Sequence, residues 1–528
     1  MERLAGKVML LSGAGRSVVA LLAGLIGVLA LPPFSFPAAL FVSFTLLVWL
    51  IDGATAAPGA GVLGRLRPAF LTGWLFGFGY FTGGLWWLGN ALLVEAEDYA
   101  WALPLAVFGL PAFLALYYGL AAALARLVWS DGVGRIAALA FAFGLCEWLR
   151  GLLFTGFPWN AVGYGAMPVP LLMQSARVLG IAGVNTLAVF VFAAPALLGT
   201  RRGRLPGLSL ATLLVVAHIG YGLYVLHATP APESRETVVR LVQPTIDQAM
   251  KLDDSARAEI FERHLALSAA PPADGGRRPD VVVWPETSIP FILTDNPDAL
   301  TRIADVLEDD QVLIAGAVRT EGAGSGKTPR YYNSIYVIDG KGQIAAAADK
   351  VHLVPFGEYM PFEDVFTDLG IAAVAAMPGG FSGAREHQLL PAGSMSFYPL
   401  ICYEAIFPAE IGVAADAATA LLNVTNDAWF GNTPGPYQHF HQARLRAVER
   451  GLPLIRGANN GVSAVVDARG QVVSGLAYDV AGYTDAILPG KADLGDLAHR
   501  QALWFWLVTG GLLVAAVVCR TAFPGQAN

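Results

Sequence analysis

The sequence predicts a two-part protein, with a polytopic α-helical membrane domain of about eight spans and one large extramembrane domain of layered α/β type. Three observations lead there. The chain is 55% hydrophobic and only 14% charged, against roughly 25% charged residues in an average soluble protein. Its apolar residues are unevenly spread: long hydrophobic runs fill 1–228, ordinary globular sequence occupies 236–500, and 503–519 is hydrophobic again. Within 236–500, short β-branched or apolar segments alternate with helical ones, the pattern of an α/β domain. The 528 residues leave room for more than one domain. A formal charge of −7 offers no basic surface for nucleic acid. Three cysteines in so long a chain exclude a disulfide scaffold.

The membrane elements come first. A helix needs roughly 20 mostly apolar residues to cross a bilayer. Candidate stretches before the outer domain are 17–31, 38–51, 68–93, 102–127, 136–154, 178–199 and 208–226, and one more follows it at 503–519. The first two are short and separated by Pro32-Pro33-Phe34-Ser35-Phe36-Pro37, which predicts a tight hairpin. A cleaved leader is the alternative for the first run; the second run that follows at once and the lack of a small-residue cleavage site argue against it.

Orientation is read from lysine and arginine in the short loops. Arg3, Lys7, Arg16, Arg65, Arg67, Arg126, Arg135, Arg201, Arg202, Arg204 and Arg520 collect on one side. The opposite loops carry Arg177, Arg150 and the acidic Glu95, Glu97 and Asp98. The positive side belongs in the cytoplasm, so an odd number of crossings places 236–500 on the far side of the membrane. One span is chemically odd, because Glu147 and Arg150 lie three residues apart on one helix face. Two readings stay open for them, a polar anchor near a lipid access route and a structural ion pair near the outer interface.

In the outer domain, 238–242, 281–284, 312–318, 333–338, 396–402, 420–424 and 463–467 read as strands, and 254–269 and 439–450 as helices. Two motifs are set aside. Gly324-Ser325-Gly326-Lys327-Thr328 looks like the tail of a phosphate-binding loop, but position 321 is Glu where a glycine is required, and Pro329 follows where a helix should begin. His439-Phe440-His441 lacks cysteine or carboxylate partners at a metal-ligand spacing, so no metal is expected.

Cys402 is the cysteine of the polar domain; Cys146 and Cys519 lie in hydrophobic stretches. It ends an apolar run, so it is either inert core or a working nucleophile. Glu286 follows the strand-like Val281-Val282-Val283-Trp284-Pro285, and Lys350 sits in Asp349-Lys350-Val351-His352. Glutamate, lysine and cysteine supply a base, a cation and a soft nucleophile, the parts needed for acyl transfer through a thioester. The thiolate is the reactive form of a thiol whose free pKa is near 8.5. A carboxylate in reach removes the proton during attack and returns it to a leaving group. An ammonium nearby stabilises thiolate and oxyanion, and the Tyr403 backbone N–H is a candidate second donor.

Trp284-Pro285-Glu286, the run Lys350-Val351-His352-Leu353-Val354-Pro355-Phe356-Gly357-Glu358-Tyr359, and Cys402-Tyr403-Glu404 resemble the three catalytic segments of the nitrilase (carbon–nitrogen hydrolase) superfamily. The wider chain resembles its membrane branch, the apolipoprotein N-acyltransferases. Supporting segments are Gly156-Phe157-Pro158-Trp159-Asn160, Asn426-Asp427-Ala428-Trp429-Phe430-Gly431, Gln438-His439 and Asn459-Asn460-Gly461. The resemblance implies a periplasmic αββα sandwich on a bacterial inner-membrane helical domain. It implies that Cys402 takes an acyl chain from a phospholipid such as phosphatidylethanolamine and passes it to the α-amine of an S-diacylglyceryl cysteine on an apolipoprotein. Glu286 would be base and acid, Lys350 the oxyanion donor, and Glu358 a positioner of Lys350 or of the incoming group. Tyr403 and Glu404 would shape the pocket, and Phe356 and Trp429 would lie on substrate-contacting loops. No cofactor is expected, and the chain is expected to act as a monomer. The alternatives are a membrane-tethered amidase or nitrilase, for which one span would suffice, and a transporter with an accessory domain, which predicts repeats and midplane charges not seen here.

Overall fold

A computed structural model describes residues 1–522 apart from Pro58, Arg201, 323–328 and 362–379. The glycine-rich segment Gly324-Ser325-Gly326-Lys327-Thr328 lies outside the described residues, as does Arg201. The chain divides into two units. One comprises Met1–Pro230, Thr433–His441 and Leu494–Asn528, the other Ala231–Asn432 and Gln442–Asp493.

The first unit is helical. Among the described residues, five helices are long and apolar enough to cross a membrane: Gly13–Ala30, Ala96–Leu127, Ala176–Gly199, Arg204–Ala228 and Leu497–Ala522. The expected count of about eight is not reached on that measure. The remaining three stretches are helical, but each departs from a simple span. Ala38–Asp52 has only 15 residues. Val62–Leu85 mixes Arg65, Arg67 and Pro68 with a series of glycines. Val133–Arg150 carries Arg135, Glu147 and Arg150. Glycine serves close packing here, as small residues do between apolar helices. A Cβ on Gly79 would stand 2.1 Å from the Leu21 carbonyl oxygen.

Glu147 and Arg150, for which the sequence leaves two readings open, form a buried ion pair. Arg150 Nη2 lies 2.5 Å from Glu147 Oε2, with the two side chains 0% and 5% exposed. The same guanidinium donates to the Phe157 and Trp159 carbonyls, so the pair fastens the following loop to the helix end. In the same unit, Gln438 Oε1 accepts from Trp87 Nε1 at 3.2 Å, Trp159 Nε1 at 3.0 Å and Asn160 Nδ2 at 3.0 Å. His439 packs its ring beside Trp159, and His441 beside Tyr164.

The second unit is built on two six-stranded sheets. The first joins β1 (Val238–Gln243), β2 (Val281–Val283), β3 (Val312–Glu321), β4 (Arg330–Asp339) and β5 (Ile344–Asp349). The second joins β6 (Leu390–Ala392), β7 (Met395–Ile401), β8 (Ala420–Thr425), β9 (Leu454–Ala458), β10 (Ser463–Val466) and β11 (Val472–Leu476). The last strand, β12 (Gly482–Ile487), returns to pair with β1. Each sheet has a parallel centre, β1-β2-β3 in one and β7-β8-β9 in the other, flanked by antiparallel strands.

Strand alternation divides the apolar residues between layers. Val281 and Val283 point into a core shared with Phe397, Ile401, Leu422 and Val424 of the other sheet. Val282 and Trp284 face the opposite way, onto Phe261, Leu265 and Ile303 of the helices Arg257–Ala269 and Pro297–Val306. Strands buried on both faces read as unbroken apolar runs, which is why β2 and β8 are visible in the sequence. The sequence reading misses β5, β6, β9, β11 and β12. The first is a run of alanines, and the outer strands β11 and β12 have residues exposed to solvent, so neither carries a strong alternation.

Candidate active site

The site forms where β2, β5 and β7 end. β7 stops at Ile401, one residue before the expected boundary, and Cys402 opens the 3-10 turn Cys402–Ile406 with φ at +50°. A side chain in this left-handed region is strained and must be held from outside. Asn423 of β8 does part of this, its Nδ2 donating to the Leu400 carbonyl at 2.8 Å and the Cys402 carbonyl at 3.4 Å. Asn423 Oδ1 in turn accepts from Arg456, whose Nη2 lies 2.8 Å from Asp427 Oδ2. Arg456 and Asp427 are fully buried. Gly461 is needed beside them, because a Cβ there would stand 2.2 Å from Asp427 Oδ2.

Glu286 leaves β2 through Trp284-Pro285. Trp284 Nε1 is tied to Ser268 Oγ at 2.7 Å. On the other side β3 approaches so closely that a Cβ on Gly316 would lie 2.5 Å from the Pro285 carbonyl oxygen. Each Glu286 oxygen has its own donor: Asn333 Nδ2 to Oε1 at 2.7 Å and the Asn426 N–H to Oε2 at 2.9 Å.

Lys350 follows β5, and its N–H donates to the Asn333 carbonyl at 2.8 Å. Its ammonium is 1% exposed, 2.9 Å from Glu358 and 3.7 Å from Glu286 Oε1. Asn333 Nδ2 also donates to Glu358 Oε1 at 2.9 Å, so one amide bridges both carboxylates. Glu358 Oε2 accepts from the Val354 N–H at 2.8 Å, closing the 354–358 loop. Burial pulls the Lys350 ammonium down, but the charges of Glu358 and Glu286, followed by Cys402 and Glu404, outweigh it and hold Lys350 protonated well above the usual lysine range.

Burial, followed by the negative charge of Glu286, pushes Cys402 far above the ordinary thiol range; Lys350 acts the other way and does not win. At rest the site therefore holds a neutral thiol beside an ammonium, and a base has to take the proton during attack.

Glu404 is a bracket rather than a pocket wall. Its Oε1 accepts from the Val351 N–H at 2.7 Å and the His352 N–H at 3.0 Å, and its Oε2 from the Ile401 N–H at 2.6 Å. It thus ties the lysine loop to the cysteine turn. Tyr403 is buried with its ring against His352 and Phe407. Phe356 is 51% exposed on the 354–358 loop with φ at +66°. Trp429 sits in the turn Asp427–Phe430 just after the Asn426 that holds Glu286.

Sequence reasoning singled out Glu286, Lys350, Glu358, Cys402 and Glu404, and these lie together. It missed Asn333, Asn423 and Arg456. A signal existed for two of them: Asn423 interrupts the apolar Ala-Leu-Leu-Asn-Val-Thr of β8, and Arg456 lies in a strand buried throughout. A polar residue in a buried strand has to find a partner.

Two family models match the chain. Residues 23–194 match the apolipoprotein N-acyltransferase N-terminal domain, and residues 238–489 match carbon–nitrogen hydrolase. Among curated relatives, the apolipoprotein N-acyltransferase of Rhizobium rhizogenes is 63% identical, with 100% of both chains covered. That of Agrobacterium fabrum is 59% identical over the same shares. Among solved structures, an amidase from Nesterenkonia sp. is 19% identical with a TM-score of 0.36, covering 52% of this chain and 97% of its own. Full-length identity at the level of the two curated relatives places the chain in the apolipoprotein N-acyltransferase family, with a carbon–nitrogen hydrolase domain over its second half.

Proposed function

We propose that the protein moves an acyl chain from a phospholipid, through a thioester on Cys402, to the α-amine of an S-diacylglyceryl cysteine at the start of an apolipoprotein. The observation that supports this best is the convergence of Glu286 and Lys350 on a buried thiol, in a chain whose other unit is a set of apolar helices. Both substrates are bilayer-anchored, and a two-chain lipid leaves the membrane only at a cost of about 0.8 kcal/mol per exposed CH₂.

In the first half-reaction Cys402 Sγ attacks the ester carbonyl while Glu286 takes the thiol proton. Lys350 faces the developing oxyanion, and one such donor is typically worth about 2.7–4 kcal/mol. The ester C–O bond then breaks, Glu286 protonates the departing glycerol oxygen, and lysophospholipid leaves. In the second half-reaction the lipoprotein amine attacks the thioester and gives its proton to Glu286. The C–S bond breaks, the sulfur recovers the proton, and the amide-linked product departs. Glu358 holds Lys350 in place, and Asn333 keeps the two carboxylates aligned. Phe356 and Trp429 contact the lipid chains. Water is kept from the thioester by the apolar surroundings of Cys402.

We read the donor as phosphatidylethanolamine and the enzyme as a monomer. The helical domain, 1–228 with 503–519, crosses the bacterial inner membrane about eight times, and the catalytic domain, 236–500, is an αββα sandwich in the periplasm. The arginine distribution supports that orientation. A reporter active only in the periplasm is expected to work when fused near Gly490 and to be silent after Arg202; the opposite pattern would reverse the assignment.

The chemistry is tested with labelled phospholipid alone. A hydroxylamine-sensitive adduct on Cys402, with lysophospholipid released before any acceptor is added, is the expected result. A strict need for both substrates before lysophospholipid appears would exclude the ping-pong scheme.

A further inference from the structure

The short helix Gln248–Leu252 carries two side chains, three residues apart, that reach the surroundings of Glu286, Gln248 at Asn426 and Lys251 at the Glu286–Thr287 turn. Gln248 Oε1 accepts from Asn426 Nδ2 at 2.7 Å, and the Asn426 N–H is the donor to Glu286 Oε2. Lys251 Nζ lies 3.3 Å from the Glu286 carbonyl oxygen, 3.3 Å from that of Thr287 and 3.4 Å from Thr287 Oγ1. Three acceptors match the three N–H donors of an ammonium. The turn needs such a hold. Thr287 has φ at +45°, an outlier for a β-branched residue, and a strained residue of this kind persists only where its surroundings over-determine it. From the other side the Ser288 N–H donates to the Gly316 carbonyl at 2.8 Å, and the Gly316 N–H to the Pro285 carbonyl at 3.1 Å.

We propose that Lys251 is a positioning residue for the catalytic base: its ammonium clamps the two carbonyls of the strained Glu286–Thr287 turn and so fixes the direction from which the Glu286 carboxylate meets the thiol. The proposal rests on the reading of Glu286 as base. The charges around Lys251 agree with it. Burial brings its ammonium down to about 8, with Glu286 opposing. His264, the titratable neighbour on the helix Arg257–Ala269, is lowered by burial to about 3 and stays neutral. The clamp is therefore charged well below pH 8, is half charged at about pH 8 and loses its charge as the pH rises through that value. A neutral amine holds two carbonyls less firmly than an ammonium does.

The test is single-turnover acylation of the full-length enzyme by labelled phospholipid, comparing K251M, K251R and E286Q with wild type. K251M is expected to slow acylation at saturating lipid by on the order of 10- to 100-fold, the scale of a misplaced catalytic group, with the half-saturating lipid concentration unchanged. K251R, which keeps the cation, is expected to recover most of the rate. The wild-type rate is expected to fall above about pH 8, and this alkaline limb to move to higher pH in K251R, because a guanidinium does not deprotonate there. A K251M rate close to wild type, or a loss lying wholly in the half-saturating concentration, overturns the proposal. If K251M does not fold, an alkaline limb unchanged in K251R overturns it. E286Q separates the two readings: wild-type acylation in E286Q sinks the base assignment itself, whereas an inactive E286Q beside a normal K251M sinks only the role of Lys251.

Discussion

The helical unit and the α/β unit each bury a carboxylate against a cation, and they do so in opposite ways. In the helical unit Glu147 and Arg150 form a one-to-one pair within a single helix turn, and the arginine's Nη1 donates to two backbone carbonyls. The charges cancel, and what is gained is the position of a loop. In the α/β unit one lysine faces two carboxylates brought from separate parts of the chain, and a neutral amide bridges them. The charges there do not cancel. The excess is what keeps Lys350 protonated while burial and Glu286 keep the thiol neutral. A balanced pair is a fastener, whereas an unbalanced cluster beside a nucleophile is poised for proton transfer.

The sharpest way to break this contrast is Cys402→Ala. It leaves the charge cluster intact and removes the nucleophile, so the acyl adduct should vanish altogether while the protein still folds. Label retained on the variant would show that the acyl group is carried elsewhere. Lys350→Met comes next. It strips the cation from two buried carboxylates, and acylation should fall by about 10²- to 10³-fold. Stability should drop by about 3–5 kcal/mol, as when one partner of a buried pair is lost; a denaturation curve matching wild type would mean the cluster is less coupled than its geometry indicates.

Asn333→Asp tests the bridge. It puts a third carboxylate beside Glu286 and Glu358 and removes the donor they share, which should slow acylation by about 10- to 100-fold at neutral pH. The sign with pH is distinctive: acid protonates the new carboxyl and restores one donor, so the ratio of variant to wild-type rate should climb as the pH falls. A ratio flat with pH would exclude the bridging role. Glu404→Gln acts one step away. An amide cannot accept all three backbone N–H bonds, and the expected cost is about 1–2 kcal/mol of stability with only a few-fold loss of rate.

Arg150→Met should have the smallest effect on chemistry. Thermal stability in detergent should fall, by about 3–5 kcal/mol for a broken buried pair, while acylation per folded molecule stays near wild type. A variant that folds normally but does not acylate would erase the distinction between fastener and catalytic cluster.

Some of this was legible before any coordinates. Apolar runs identify the helical region because a bilayer demands length and apolarity along a contiguous stretch. The centres of both sheets show as β2, β3, β7 and β8 because strands buried on two faces are apolar throughout. The span count was less legible, since helices such as Val133–Arg150 mix charge into an otherwise apolar stretch. The exposed strands β11 and β12 escaped notice because solvent tolerates almost any alternation there.

What the sequence determined by itself is the local chemistry: which residues are acidic, basic or nucleophilic, and that Glu286 and Cys402 stand at strand ends. Only the tertiary structure decided how they act on one another. Asn333 lies 47 residues from Glu286 and 25 from Glu358, and Glu404 lies 53 from Val351. The physical reason is that a hydrogen bond, an ionic field and the desolvation of a thiol depend on distance and burial in space. Those distances were created by stacking two sheets, which no pattern along the chain records.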